Sequence, residues 1–127
     1  MRETMIRNLS YYFVMAGLIL MCMSCQIEYD QMGFPGTLMF SKEGGEKIVK
    51  GEEDDYAFSI VGKSVGSSED IDGYYIAQYE WLTVKKPVDN GRLLIITTEP
   101  NASGKSRKLE IEIFTGLKCA TIYVKQK

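Results

Sequence analysis

Cys25 is the side chain in this chain best surrounded for covalent chemistry. It follows the small Ser24 at the end of an apolar run over residues 11–21, with Arg2 and Arg7 ahead of that run. A small residue before a thiol at the end of such a run suits leader cleavage followed by acylation of the sulfur. The run has eleven residues, whereas a spanning helix needs ~20 and a cleaved export leader has about 7–15. Cys22 follows the bulky Met21 and is the poorer acceptor. Residues 1–24 are therefore expected to be a signal peptide, with Cys25 the lipidation site. Each buried CH₂ contributes ~0.8 kcal/mol, so stable attachment to a membrane takes more than one acyl chain.

Other reaction chemistry is sparse. The chain has no histidine, which removes the commonest general base and the commonest transition-metal ligand together. Residues 67–73 place carboxylates at alternate positions before Gly73, as hard-cation loops do. An EF-hand register, however, needs Asp where Ser68 stands and Glu where Tyr79 stands. No metal and no cofactor is expected. Glu52, Glu53, Asp54 and Asp55 read as a solvated charge run between strands. With 17 acidic residues, some carboxylate pair at glycosidase spacing is expected by chance, and no cleft-forming insertion accompanies one. The protein is expected not to be an enzyme. Cys119 alternates outward beside Phe114, and acylation of Cys25 leaves it no partner for a disulfide within the processed chain.

Aromatic and apolar side chains offer recognition instead. Tyr74, Tyr75 and Tyr79 are candidates to contact a ligand, since aromatic rings bind sugar C–H edges. Trp81 either joins them or fills the space between two sheets. A second candidate surface is formed by Leu94, Ile96, Phe114 and Tyr123, which the alternation places opposite the core set.

The elements that must position these groups are strands. Removing residues 1–24 leaves 103 residues, enough for one core and too few for two. Loss of Arg2, Arg7 and Glu3 moves the net charge from −2 to −3, without the basic face that nucleic acid requires. Beyond residue 25 the apolar period is two. Leu38 and Phe40, then Tyr56, Phe58 and Ile60, share strand faces. Leu93, Ile95 and Thr97 alternate with Leu94 and Ile96, Ile111 and Ile113 with Glu110 and Glu112, and Ala120, Ile122 and Val124 with Thr121 and Tyr123. Turn clusters at 87–91, 100–105 and 115–116 separate the last strands. The spacing predicts an all-β, two-sheet Greek-key sandwich of seven to eight short antiparallel strands over residues 36–127, on a tether of residues 25–35.

Two resemblances add to this reading. The segment ending in Met23-Ser24-Cys25 resembles the lipobox of bacterial lipoproteins, with Cys22 where Leu is usual. Gln26, Glu28 and Asp30 resemble the surface-export signal of Bacteroidota lipoproteins. Residues 40–45 (FSKEGG), 81–84 (WLTV), Asn90-Gly91, 101–104 (NASG), Ser106-Arg107 and 120–126 (ATIYVKQ) resemble a BACON domain over about residues 36–127. That resemblance implies an immunoglobulin-like sandwich in the Bacteroidota cell envelope, with carbohydrate as ligand. The expectation is a non-catalytic lipoprotein held to the outer membrane through Cys25, surface-exposed and binding polysaccharide. The alternative is a structural or protein-docking subunit of a larger envelope assembly, with other envelope proteins as partners.

Overall fold

The structure, a computed structural model, describes residues 28–65 and 72–127. The leader, Cys25 and residues 67–71 of the acidic loop lie outside the described residues. Ten strands are present and no helix is found among the described residues: β1 (Glu28–Tyr29), β2 (Thr37–Phe40), β3 (Gly45–Lys50), β4 (Ala57–Ile60), β5 (Ser64–Val65), β6 (Tyr74–Tyr79), β7 (Leu82–Pro87), β8 (Leu93–Thr98), β9 (Arg107–Phe114) and β10 (Lys118–Gln126). They form two sheets. One has the order β1-β10-β9-β4-β5, with β2 also paired to β10; the other has the order β3-β8-β7-β6. The chain is a β-sandwich, and eight of its strands have four residues or more.

Its core is built by the expected alternation in β2, β4, β9 and β10. Ile111 and Ile122 lie directly opposite each other on β9 and β10, both fully buried, and Ile113 pairs with Ala120 on one side and Phe58 on the other. Burying a side chain of this size contributes ~1.5–3 kcal/mol. Leu82 and Val84 close the core from the second sheet.

In β8 the phase is the reverse of the expected one. Leu94 and Ile96 are fully buried, and Leu93, Ile95 and Thr97 are the half-buried outward set. Both faces of this strand are apolar, and with a side-chain period of two a one-residue slip exchanges them. The neighbouring strand decides the phase. In β7, Leu82 and Val84 alternate with Thr83 and Lys85, and they pair with Thr98 and Ile96. Side chains opposite one another share a face, so Ile96 and Leu94 follow Leu82 and Val84 inward.

The sandwich also begins earlier than residue 36. β1 pairs in parallel with β10 at Lys118 and Cys119, β2 pairs in parallel with it at residues 123–126, and Met32 and Phe34 are buried in the core. Between the two short pairings, the Gln31 side chain completes the edge. Its amide N–H donates to the Thr121 carbonyl at 3.0 Å, and its carbonyl accepts from the Thr121 N–H at 3.3 Å. The segment expected to be a tether is thus mostly a folded edge of the six-stranded sheet.

These pairings define two ends. The proximal end holds Glu28, the 51–56 segment, the 88–92 turn and the 115–117 turn. The distal end holds the 41–44 turn, the 99–106 loop and the end of β10.

Candidate functional site

A cleft of about 340 Å³ opens at the proximal end, lined by Asp54, Asp55, Tyr75, Lys86, Val88, Asp89, Asn90, Gly91 and Arg92. Three segments distant in sequence meet there. The Gly51 N–H donates to the Arg92 carbonyl at 2.8 Å, tying the 51–56 segment to the 88–92 turn. The Val88 N–H donates to the Gly73 carbonyl at 3.0 Å, tying the same turn to the start of β6. Gly91 permits the close approach. A Cβ there would lie 2.5 Å from the Asp54 carbonyl oxygen and 2.9 Å from Lys86 Cε, so any side chain would force the two walls apart.

Lys86 organises the floor. It sits in the inward phase of β7 with Leu82 and Val84, and is only 8% exposed. Its Nζ donates to the Tyr56 carbonyl at 2.8 Å and lies 3.9 Å from the centre of the Tyr56 ring. Burial pulls its pKa below the ordinary lysine value, while the nearby Asp55 and Asp54 carboxylates push the other way. Tyr56 itself packs edge-on against Phe34, with ring centroids 5.7 Å apart. Burial pushes its phenol pKa well up, and its hydroxyl has no hydrogen-bond partner. The cleft therefore offers one half-buried aromatic side chain, three carboxylates, an amide and a guanidinium around a buried cation. Hydroxyl-rich ligands are recognised by such convergent donors and acceptors beside an aromatic wall.

The four aromatic candidates divide among separate places. Tyr75 lines the cleft. Tyr74 has the opposite phase on β6, with Lys85 Nζ 5.3 Å from its ring, and lines a neighbouring cleft of about 390 Å³ with Asp72 and Asp89. Tyr79 packs against the core at the other end of β6, with Lys63 Nζ 5.1 Å from its ring. Trp81 is 7% exposed within the core, and the Arg107 guanidinium lies 4.6 Å from its ring centre, so it takes the filling role and presents no open platform. The four do not converge into one site.

Of the outward apolar candidates, Leu94 and Ile96 are core residues, which removes them from any docking surface. Phe114 and Tyr123 do face outward on the six-stranded sheet and are partly exposed. Cys119 shares the row of Phe114 but is covered. Its thiol donates to Glu112 Oε2 at 3.2 Å, and its pKa is raised by burial and then by the hydrogen bond and charge of Glu112. Among the described residues no cluster of His, Cys, Asp or Glu is arranged to hold a metal ion.

Sequence reading did not bring Lys86, Asp89, Asn90 and Arg92 together with Tyr75. One signal was available: Lys86 shares the parity of Leu82 and Val84, and a charged residue in the inward phase of a strand needs a partner.

No family model matches this chain, and no curated protein matches it. A protein from Bacteroides thetaiotaomicron, known from an NMR structure, is similar in fold. It is 19% identical, with a TM-score of 0.52 over 75% of this chain and 79% of that one.

Proposed function

We propose that this protein is a non-catalytic cell-envelope lipoprotein, anchored to the outer membrane through acylated Cys25, whose single domain binds carbohydrate in the proximal cleft. The observation that carries the proposal is the convergence of Tyr75 with Asp54, Asp55, Asp89, Asn90 and Arg92 around a glycine-narrowed turn. Its polar side chains suit sugar hydroxyls, and Tyr75 supplies the apolar complement. The parallel pairing of β2 with the last strand and the two-sheet order support an immunoglobulin-like, BACON-like assignment. The absence of histidine from the chain supports a binding role over acid–base catalysis.

The alternative, a structural or docking subunit, retains Phe114 and Tyr123 of its four expected contact residues. Glycan-array binding by soluble residues 26–127, lost on Tyr75→Ala and kept on Tyr79→Ala, is the expected result. No binding to any polysaccharide, together with a partner protein lost on Tyr123→Ala, would favour the docking reading. Anchoring is tested separately: globomycin, or Cys25→Ala, should leave an unprocessed precursor, while lipidation that survives Cys25→Ala and not Cys22→Ala would contradict the assignment.

A further inference from the structure

The proximal end carries a second surface. The Glu28 N–H donates to the Leu117 carbonyl at 2.7 Å, so the point where the preceding chain joins the sandwich is fixed on the β9–β10 turn. Tyr29 pairs with Cys119, and Cys119 with Phe114, which puts all three on the outward face of the six-stranded sheet in one row. Tyr29 is 86% exposed, Leu117 70% and Phe114 37%. A single exposed apolar side chain needs no explanation, whereas three in one row and its adjoining turn form a patch. The lysine beside this patch is already neutralised: Lys118 lies 2.9 Å from Glu53 and 3.8 Å from Asp30, and Glu28 adds further negative charge.

Only two residues lie between Cys25 and Glu28, three Cα steps with a reach of ~10 Å when fully extended. The headgroup layer of one leaflet takes up roughly 5–8 Å of that distance. A domain acylated at Cys25 is therefore held with the corner formed by β1 and the 115–117 turn against the bilayer, too close for a partner protein to enter there, while the 88–92 turn that closes the cleft belongs to the other sheet.

We propose that the patch of Tyr29, Leu117 and Phe114 seats in the headgroup layer of the membrane to which Cys25 ties the chain. The inference rests on the reading of Cys25 as the acylation site. Aromatic and leucine side chains are favoured at this depth. Because the surrounding charge is acidic, the contact is apolar and does not depend on anionic lipid.

The test uses the processed, lipidated chain, ¹⁵N-labelled, in phosphatidylcholine nanodiscs doped with headgroup spin-labelled lipid. The amide signals of Tyr29 and residues 115–118 should be lost, while those of Gly44 and Ser103 at the distal end are kept. Tyr29→Ser/Leu117→Ser changes two well-exposed side chains, so the fold should survive while the selective loss weakens to what the acyl tether alone imposes. Added anionic lipid should leave the pattern unchanged. Even attenuation at both ends, selective loss unchanged in the double variant, or loss that requires anionic lipid would each overturn the seating. A patch shielded by self-association of the chain in lipid-free detergent would also overturn it. Mass spectrometry of the same sample separates the two readings. Unacylated Cys25 overturns anchoring and seating together, whereas acylated Cys25 with even attenuation overturns the seating alone.

Discussion

The two ends of the sandwich treat their buried polar groups in opposite ways. At the distal end, Gln126 is almost completely buried and fully engaged. Its amide N–H groups donate to the Ser41 and Glu99 carbonyls at 3.0 and 2.8 Å, and its carbonyl accepts from Arg107 Nε at 2.8 Å. Arg107 also donates to the Glu99 and Pro100 carbonyls and stacks on Trp81. Asn101 donates to the Lys105 and Lys127 carbonyls and accepts from Ser103. The Thr98 hydroxyl is the exception, buried without a partner. At the proximal end, a buried lysine is held by one carbonyl and an aromatic face, the Tyr56 hydroxyl is unpaired, and carboxylates line an open cleft. Saturated polar networks hold a fold together, and groups with spare hydrogen-bonding capacity are the ones that recognise something else.

This contrast can be broken or sharpened by mutation. The largest loss should come from the core both ends share: Ile122→Ala, read by chemical denaturation, should cost ~2–5 kcal/mol. A loss below about 0.5 kcal/mol, the size of an ordinary surface change, would show that the β9–β10 register is wrong. Next comes the distal network. Gln126→Ala leaves Arg107 Nε without its acceptor and takes one of two donors from each of the Ser41 and Glu99 carbonyls, and should cost ~1–3 kcal/mol while leaving glycan binding unaltered.

Lys86→Met probes the proximal floor through pH. Lys86 has a lowered pKa in the folded state, so the native chain releases this proton before the unfolded chain does. Between the lowered and the ordinary value, the stability contributed by Lys86 therefore rises with pH. The stability of wild type minus Lys86→Met should climb as pH rises from neutral toward the ordinary lysine range. A flat or falling difference would contradict the burial of its charge. Smallest in stability should be Asp89→Ala and Arg92→Ala, both exposed, within about 0.5 kcal/mol of wild type yet impaired in binding.

How far the sequence revealed this arrangement depended on whether the pattern was one-sided. β4, β9 and β10 alternate apolar with polar or small residues, and their inward faces follow directly. β8 reads Leu-Leu-Ile-Ile-Thr-Thr, apolar on both faces, and its phase exists only in its pairing with β7. Leu38 and Phe40 marked β2 as a strand, but β1 and the pairing of both strands were hidden for another reason. β1 and β2 are two and four residues long and pair in parallel with the last strand, a contact across some ninety residues that local periodicity does not encode. The same holds for the cleft. Asp54 and Asp55 were visible as a charge run and Asn90-Gly91 as a turn, but only the sheet packing brings them against Tyr75 and Lys86.

The central claim is that the proximal cleft, and not the distal end or the outward sheet face, takes carbohydrate. Amide chemical-shift mapping on ¹⁵N-labelled residues 26–127, titrated with the best oligosaccharide from the array, tests it most directly. The shifts should concentrate at Asp54, Asp55, Tyr75 and residues 88–92, leave residues 101–105 and 121–125 in place, and vanish in Tyr75→Ala. Shifts centred on the 99–106 loop or on Tyr123, or a saturable titration that Tyr75→Ala leaves intact, would contradict it.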